Sequence, residues 1–233
     1  MKEKIREIIG KAREEGRNFL LEMEAEEIFK LYQIPVPETV LVEKEENLVS
    51  SGEKLGFPLV MKIVSPQVIH KTDVGGVKVG IKSKEDLLSA YKSMIGEVQD
   101  KVSGAEIKGV LLQKMAPSGG REVVLGGLKD PTFGPVVMFG LGGIWVEVLK
   151  DVSFRVAPIN ETEAREMVDE IKGKKILEGV RGEKPVDFVS LCETIANFSR
   201  MVYDFPEFKE VDANPVFLYS DSLLCVDARI ILE

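Results

Sequence analysis

The chain has 233 residues, 44% of them hydrophobic and 30% charged, with a net charge of −8 at pH 7. That balance suits a globular protein with a core large enough for one domain or two lobes, and it excludes a disordered chain. The negative charge argues against binding to nucleic acid or to an anionic membrane, which draws on a basic patch, so any phosphate site has to be local.

Ile5, Ile8, Ile9 and Ala12 recur at helical spacing and predict a first amphipathic helix ending near Gly16. Asn18 then reads as the N-cap of a second helix, in which Leu20, Leu21, Ala25, Ile28, Phe29 and Tyr32 keep the period until Pro35 and Pro37 end it. A short strand over Thr39 to Val42 and a helix over Glu45 to Leu55 follow. The β-branched runs Leu59 to Val64 and Val77 to Ile81 read as strands joined by a polar loop. Ser83 caps a helix over Ser83 to Val98, with Glu85 and Asp86 in its first turn. Val110 to Met115 is an apolar strand, and Pro117-Ser118-Gly119-Gly120 reads as a hinge between lobes. Arg121 to Leu128, Val136 to Phe139, Ile144 to Leu149 and Ser153 to Val156 are closely spaced strands of an antiparallel sheet. Helices are expected over Glu161 to Ile171 and Val186 to Tyr203, and a β-hairpin closes the chain. Cys192 and Cys225 lie far apart in apolar surroundings and form no C-x-x-C pair, so they read as reduced core thiols of a cytoplasmic protein. The N-terminus has no secretory h-region and no run reaches membrane-spanning length without glycine or charge.

The stretch from Gly56 to Ile81 carries most of the chemistry. Each of its strands holds one lysine in an apolar run. Antiparallel pairing about the middle of the loop sets Lys62 opposite Lys78, with His70 at the loop's midpoint. Facing like charges are unfavourable unless an anion lies between them, and phosphate is the obvious anion. Gly75 and Gly76 agree with this, because adjacent glycines let backbone N–H groups turn toward a phosphate. The plainer reading is a hairpin edge bearing solvated lysines. The Gly-Gly pair and the lone histidine together favour phosphate.

The terminal hairpin, turning at Ser220-Asp221, sets Asn214 opposite Asp227 and Asp212 opposite Arg229. Asp212 and Asn214 share a face because strand residues alternate. Such hard oxygens suit Mg²⁺, which takes one or two protein ligands besides phosphate and water. An ordinary Asp212 to Arg229 ion pair on a surface hairpin explains the same pattern equally well. No G-x-x-x-x-G-K-[ST] occurs, and Gly140-Leu141-Gly142-Gly143 lacks the third glycine and the βαβ setting of a dinucleotide fingerprint. A single histidine rules out a zinc site built on several histidines.

Taken together, Val60-Met61-Lys62-Ile63, His70-Lys71-Thr72-Asp73-Val74-Gly75-Gly76-Val77-Lys78, Asp151-Val152-Ser153-Phe154-Arg155-Val156-Ala157-Pro158 and Asp212-Ala213-Asn214-Pro215 resemble the β subunits of ADP-forming acetyl-CoA synthetases. More remotely the chain is similar to the β subunits of succinyl-CoA synthetases. The resemblance implies an α+β ATP-grasp fold, two lobes of mainly antiparallel sheet clamping a nucleotide. A smaller lobe at about 36–114 would be inserted into a larger one formed by about 1–35 and 115–233. It further implies that Lys62 and Lys78 contact phosphates of ATP or ADP under Gly75 and Gly76, and that Gln113, Lys114 and Met115 line the adenine pocket. Glu122 would hold the ribose or the amine, and Asn214 and Asp227 would bind Mg²⁺. Arg229 stands where many ATP-grasp proteins carry an asparagine, which leaves a third protein ligand unsupported. His70 matches the position at which this family carries a phosphorylated histidine, and Asp212 would orient or neutralise its ring. Because the chain shows no coenzyme A or acyl site, the resemblance implies a CoA-binding α subunit in an α2β2 hetero-oligomer. The reaction would be acyl-CoA + ADP + phosphate ⇌ acid + CoA + ATP. Two alternatives stand beside it: a self-contained ATP-grasp carboxylate ligase that forms an acyl phosphate, and a non-catalytic nucleotide-binding module, against which Lys62, Lys78 and Asp227 speak.

Overall fold

The computed structural model describes residues 1–68, 70–143, 150–180 and 182–233. The chain divides into two units, Met1–Val36 with Pro117–Glu233, and Pro37–Ala116. Each has its own hydrophobic core.

The Pro37–Ala116 unit is a four-stranded antiparallel sheet covered on one face by helices. Its elements are β1 (Thr39–Val42), a 3₁₀ turn (Glu45–Asn47), α3 (Leu48–Leu55), β2 (Leu59–Val64), β3 (Val77–Ile81), α4 (Lys84–Lys101) and β4 (Gly109–Lys114), in the sheet order β1-β4-β2-β3. Leu59, Met61 and Ile63 of β2 and Val110 and Leu112 of β4 pack with Leu48, Leu87, Met94 and Val98. Ser83 caps α4 as expected, its Oγ accepting from the Asp86 N–H at 3.1 Å. Strand alternation sends Val60, Lys62, Leu111 and Gln113 to the opposite face of the sheet.

The other unit carries α1 (Lys2–Glu14), α2 (Glu22–Leu31), β5 (Arg121–Asp130), β6 (Gly134–Leu141), β7 (Val152–Val156), α5 (Glu161–Glu170), the short α6 (Lys174–Leu177), α7 (Phe188–Asp204), β8 (Phe208–Leu218), β9 (Leu223–Cys225) and β10 (Ala228–Leu232). Its sheet runs β10-β8-β5-β6-β7, with β9 also paired to β8, and every pairing is antiparallel. Val123, Leu125, Val137, Phe139, Val211 and Ile230 pack on the helices, where Phe29 meets Phe198 edge to face at 6.0 Å. Burying side chains of this size contributes about 1.5 to 3 kcal/mol each.

The second helix does not start at Asn18. Residues 18–20 lie against β10 instead, with Leu20 N–H donating to Ile230 C=O and Leu232 N–H to Asn18 C=O. The helix begins at Glu22, and the Glu24 carboxylate accepts from Leu21 N–H at 2.7 Å while Arg17 grips both of its oxygens. Strand pairing thus outweighs a capping preference. The strand expected over Ile144 to Leu149 lies outside the described residues. Among the described residues no helix is long and apolar enough to cross a membrane.

Candidate functional site

The loop between β2 and β3 is pinned at both feet. At the upstream foot Ser65 and Gln67 bond side chain to side chain at 3.2 Å, and Gln67 Oε1 also accepts the Glu106 N–H at 3.0 Å. At the downstream foot the Gly76 N–H donates to Lys71 C=O at 2.7 Å, Gly76 C=O accepts from Ile63, and Gly75 N–H donates to Thr72 C=O. Between the feet His70 is exposed. Gly75 holds φ +77°, and a Cβ on Gly76 would meet Ile63 Cγ2 at 2.6 Å. These glycines are therefore required by close packing. Their N–H groups are engaged within the loop instead of being turned outward to an anion, which corrects the expectation drawn from the Gly-Gly pair.

The facing-lysine register is also corrected. Lys62 pairs with Val77, and Lys78 pairs with Met61, one position away from the expected Lys62 to Lys78 pair, after an irregularity between Leu59 and Met61. Partners in an antiparallel ladder share a face and neighbours alternate, so the two lysines point to opposite faces of the sheet. Lys78 lies on the helix-covered side, where its Nζ donates to Glu97 of α4 at 2.7 Å. This contact holds the Glu97 carboxyl below the usual range. Lys62 is buried on the other face. Gln113 lies on that face as well, paired with Val60 and only 2% exposed. The Lys114 ammonium donates to the carbonyls of Gly56 and Phe57 at 2.6 and 3.3 Å, and Met115 N–H donates to Pro58 C=O at 3.2 Å. Residues 113–115 are thereby fixed as the rigid end of a central strand.

In the other unit, Glu122 lies on β5, its carbonyl accepting from Gly142 N–H at 2.8 Å. Asp212 and Asn214 lie on β8. Asp212 pairs with Arg229, as the hairpin register predicts, and the same register continues through Val216 with Cys225, which sets Asn214 opposite Asp227 in the break between β9 and β10. Arg229 sits at 2.6 Å from Glu210 and only 3.9 Å from Asp212, so the expected Asp212 ion pair is secondary. Burial pushes the Asp212 carboxyl up to about 6; Arg229 opposes the shift, and Asp227 and Glu210 add to it. A divalent cation would relieve that accumulation of negative charge, and the amide oxygen of Asn214 with the Asp227 carboxylate is a hard-oxygen pair of the type Mg²⁺ takes. Among the described residues no three His, Cys, Asp or Glu gather as a metal cluster.

Sequence reasoning missed Glu97 and Gln67. Glu97 had a signal, since Ser93, Glu97 and Lys101 recur one turn apart on α4 and project polar groups along one stripe. Gln67 had none, because its partner Glu106 is remote in sequence.

A family model for the ATP-grasp domain matches residues 11–232. The chain is 52% identical to the β subunit of acetate–CoA ligase [ADP-forming] I from Pyrococcus furiosus, with 98% of each chain covered. Among solved structures it is similar to acetyl-coenzyme A synthetase 1 of Ca. Korarchaeum cryptofilum in complex with coenzyme A, Ca-AMPCP and HgCl+. That match has a TM-score of 0.95 and 47% identity, over 98% of this chain and 99% of that one. A second structure of that synthetase, with coenzyme A and Mg-AMPPCP and with its phosphohistidine segment pointing towards the nucleotide binding site, gives a TM-score of 0.86 at 44% identity, over 98% and 100% of the two chains.

Proposed function

The chain belongs to the ATP-grasp family and, within it, to the β subunits of ADP-forming acetate–CoA ligases, and from that premise we propose that it carries out the nucleotide half of acyl-CoA-driven ATP synthesis, with His70 as phosphoryl relay. The observation that carries the reading is the exposed imidazole at the tip of a loop pinned on both sides. A neutral imidazole nitrogen attacks the phosphorus of a phosphoryl donor in line, forming an N–P bond as the donor's own bond to that phosphorus breaks and the donor leaves; with ATP as donor the γ-phosphoryl group is taken and ADP leaves. On transfer that bond breaks, a β-phosphate oxygen of ADP forms the new P–O bond, and the imidazole is released for another turn.

Within this reading Lys62 binds phosphate as a point charge, and residues 113–115 line the adenine pocket, Lys114 through its backbone carbonyl because its ammonium is engaged with Gly56 and Phe57 and its N–H with the Glu38 carbonyl. Glu122 holds the ribose or the amine of the nucleotide. Asn214 and Asp227 would hold Mg²⁺, which when bound would supply positive charge against the phosphates, and Asp212, on the same strand as Asn214, would neutralise or orient the phosphorylated ring. Gly75 and Gly76 let the chain that follows His70 pack closely on Glu97 and Ile63. Acyl-CoA chemistry falls to a CoA-binding α subunit in an α2β2 assembly in the cytoplasm.

The test is to incubate the chain with Mg²⁺ and γ-labelled ATP. Acid-labile, base-stable label is expected on wild type and absent from His70→Asn, with Mg-ADP affinity retained. Label that persists in His70→Asn, the only histidine being gone, would overturn the assignment.

A further inference from the structure

Ser93, Glu97 and Lys101 form a single stripe of α4, and Glu97 and Lys101 each have a partner at or beside the histidine loop. Lys78 Nζ donates to Glu97 Oε1 at 2.7 Å, and Ser93 Oγ donates to the same oxygen. One turn further on, Lys101 Nζ donates to the carbonyl of Asp73 at 3.1 Å. Gly75 presses against Glu97 so closely that a Cβ added there would collide with the carboxylate. The loop-side partners of this stripe, Asp73, Gly75 and Lys78, lie directly downstream of His70. The Lys78 and Glu97 side chains are 24% and 41% exposed, and an ion pair so open to solvent adds little to global stability. What it fixes is the position of the loop's downstream foot relative to α4.

We propose that Glu97 is a positioning residue for phosphoryl transfer. Together with Lys78 it latches the loop to α4, so that the His70 imidazole is held where it can attack phosphorus in line. Lys78 then serves the loop, and phosphate recognition rests with Lys62, which the register puts on the opposite sheet face. This inference rests on the reading of His70 as the phosphoryl relay. Displacing a nucleophile by about 1 Å slows a reaction on the order of a hundredfold, whereas ground-state binding of the nucleotide does not pass through the latch.

The experiment is single-turnover labelling of the full chain with Mg²⁺ and γ-labelled ATP, alongside calorimetric titration with Mg-ADP. Wild type is compared with Glu97→Gln, Lys78→Met, the double variant and the exchanged pair Lys78→Glu with Glu97→Lys. Both single variants are expected to slow labelling by about ten- to a hundredfold. Their Mg-ADP affinity should stay within about twofold of wild type, since a solvent-exposed pair is being removed. The double variant should be no slower than either single one, and the exchanged pair should recover most of the lost rate. Wild-type labelling in Glu97→Gln overturns the inference, as does a loss of Mg-ADP affinity in step with the rate, which would place Lys78 on the nucleotide. If wild type itself binds Mg-ADP but takes no label, the reading of His70 fails and the latch fails with it. The other two failures both require a labelled wild type, so they fall on the latch alone.

Discussion

Lys62 is 6% exposed on the face of β2 that points away from α3 and α4, and Lys78 is tied to a helix carboxylate on the other face. Removing each therefore has a different effect. A charge-assisted hydrogen bond to an anion is worth about 1.5 to 3 kcal/mol, so Lys62→Met should weaken Mg-ADP binding roughly tenfold or more. Lys78→Met should leave that affinity nearly unchanged and should not raise the melting temperature, because no facing-lysine repulsion exists for it to relieve. Calorimetric titration of the two variants separates them, and equal losses in both would sink the distinction. At the acidic corner, Asp227→Ala should abolish the Mg²⁺ dependence of ADP binding while melting stays close to wild type. Identical titrations with and without Mg²⁺ in wild type would remove the metal from that corner.

Two elements depend on local geometry that substitution can probe. Gly76 is buried, and an added Cβ would press on Ile63 Cγ2 at 2.6 Å and Lys71 O at 3.0 Å. Gly76→Ala should cost about 1 to 3 kcal/mol as overpacking, read as a fall in the denaturant midpoint. At the start of α7 the Asp187 carboxylate accepts from the N–H groups of Val189 and Ser190, both at 3.1 Å, and from Ser190 Oγ at 2.6 Å. The Ser190 hydroxyl and these backbone bonds hold its carboxyl below the usual aspartate range. Asp187→Ala should cost about 1 kcal/mol. A depressed folded-state value means the charge contributes stability above the unfolded value of about 3.9, and the contribution is lost as pH falls through the lower folded value. Asp187→Asn keeps the cap but lacks that titration, so its stability should fall less steeply on acidification below about pH 4. A slope equal to that of wild type would show that the charge does not matter.

The same elements show what local sequence settles. The terminal hairpin has a tight turn, with Tyr219 N–H bonded to Ser222 C=O, so its register followed from counting residues, and Asp212 pairs with Arg229 as expected. The loop from Ser65 to Gly76 is long, and the irregularity between Leu59 and Met61 shifts the pairing by one residue, which carries Lys78 to the other face. Turn chemistry fixes short loops, whereas bulges depend on tertiary packing that no local pattern encodes. Helical periodicity located α1 and α7 and cap signals at Ser83 located α4, but the start of α2 was decided by pairing with β10 and by the Arg17 to Glu24 contact, both of which are formed at a distance.

For the molecule as a whole, the reading predicts a division of labour. The residues assigned to phosphoryl transfer are spread over both units, Lys62 and His70 in one and Asn214 and Asp227 in the other, while no group here is assigned to acyl or coenzyme A recognition. The chain with Mg²⁺ and ATP should therefore complete phosphorylation of His70 once and stop. Alone it should form no ATP from acetyl-CoA, ADP and phosphate. Supplying a CoA-binding α subunit should restore turnover, and His70→Asn with that same subunit should bring it back to background. The internal control is that His70→Asn still binds Mg-ADP, so a lost rate cannot be laid to an empty nucleotide site. Turnover by the chain alone would point to the self-contained ligase instead. Wild-type turnover by His70→Asn with the α subunit present would mean that the partner delivers phosphate directly to ADP, and that the pinned loop holds its imidazole for some other purpose.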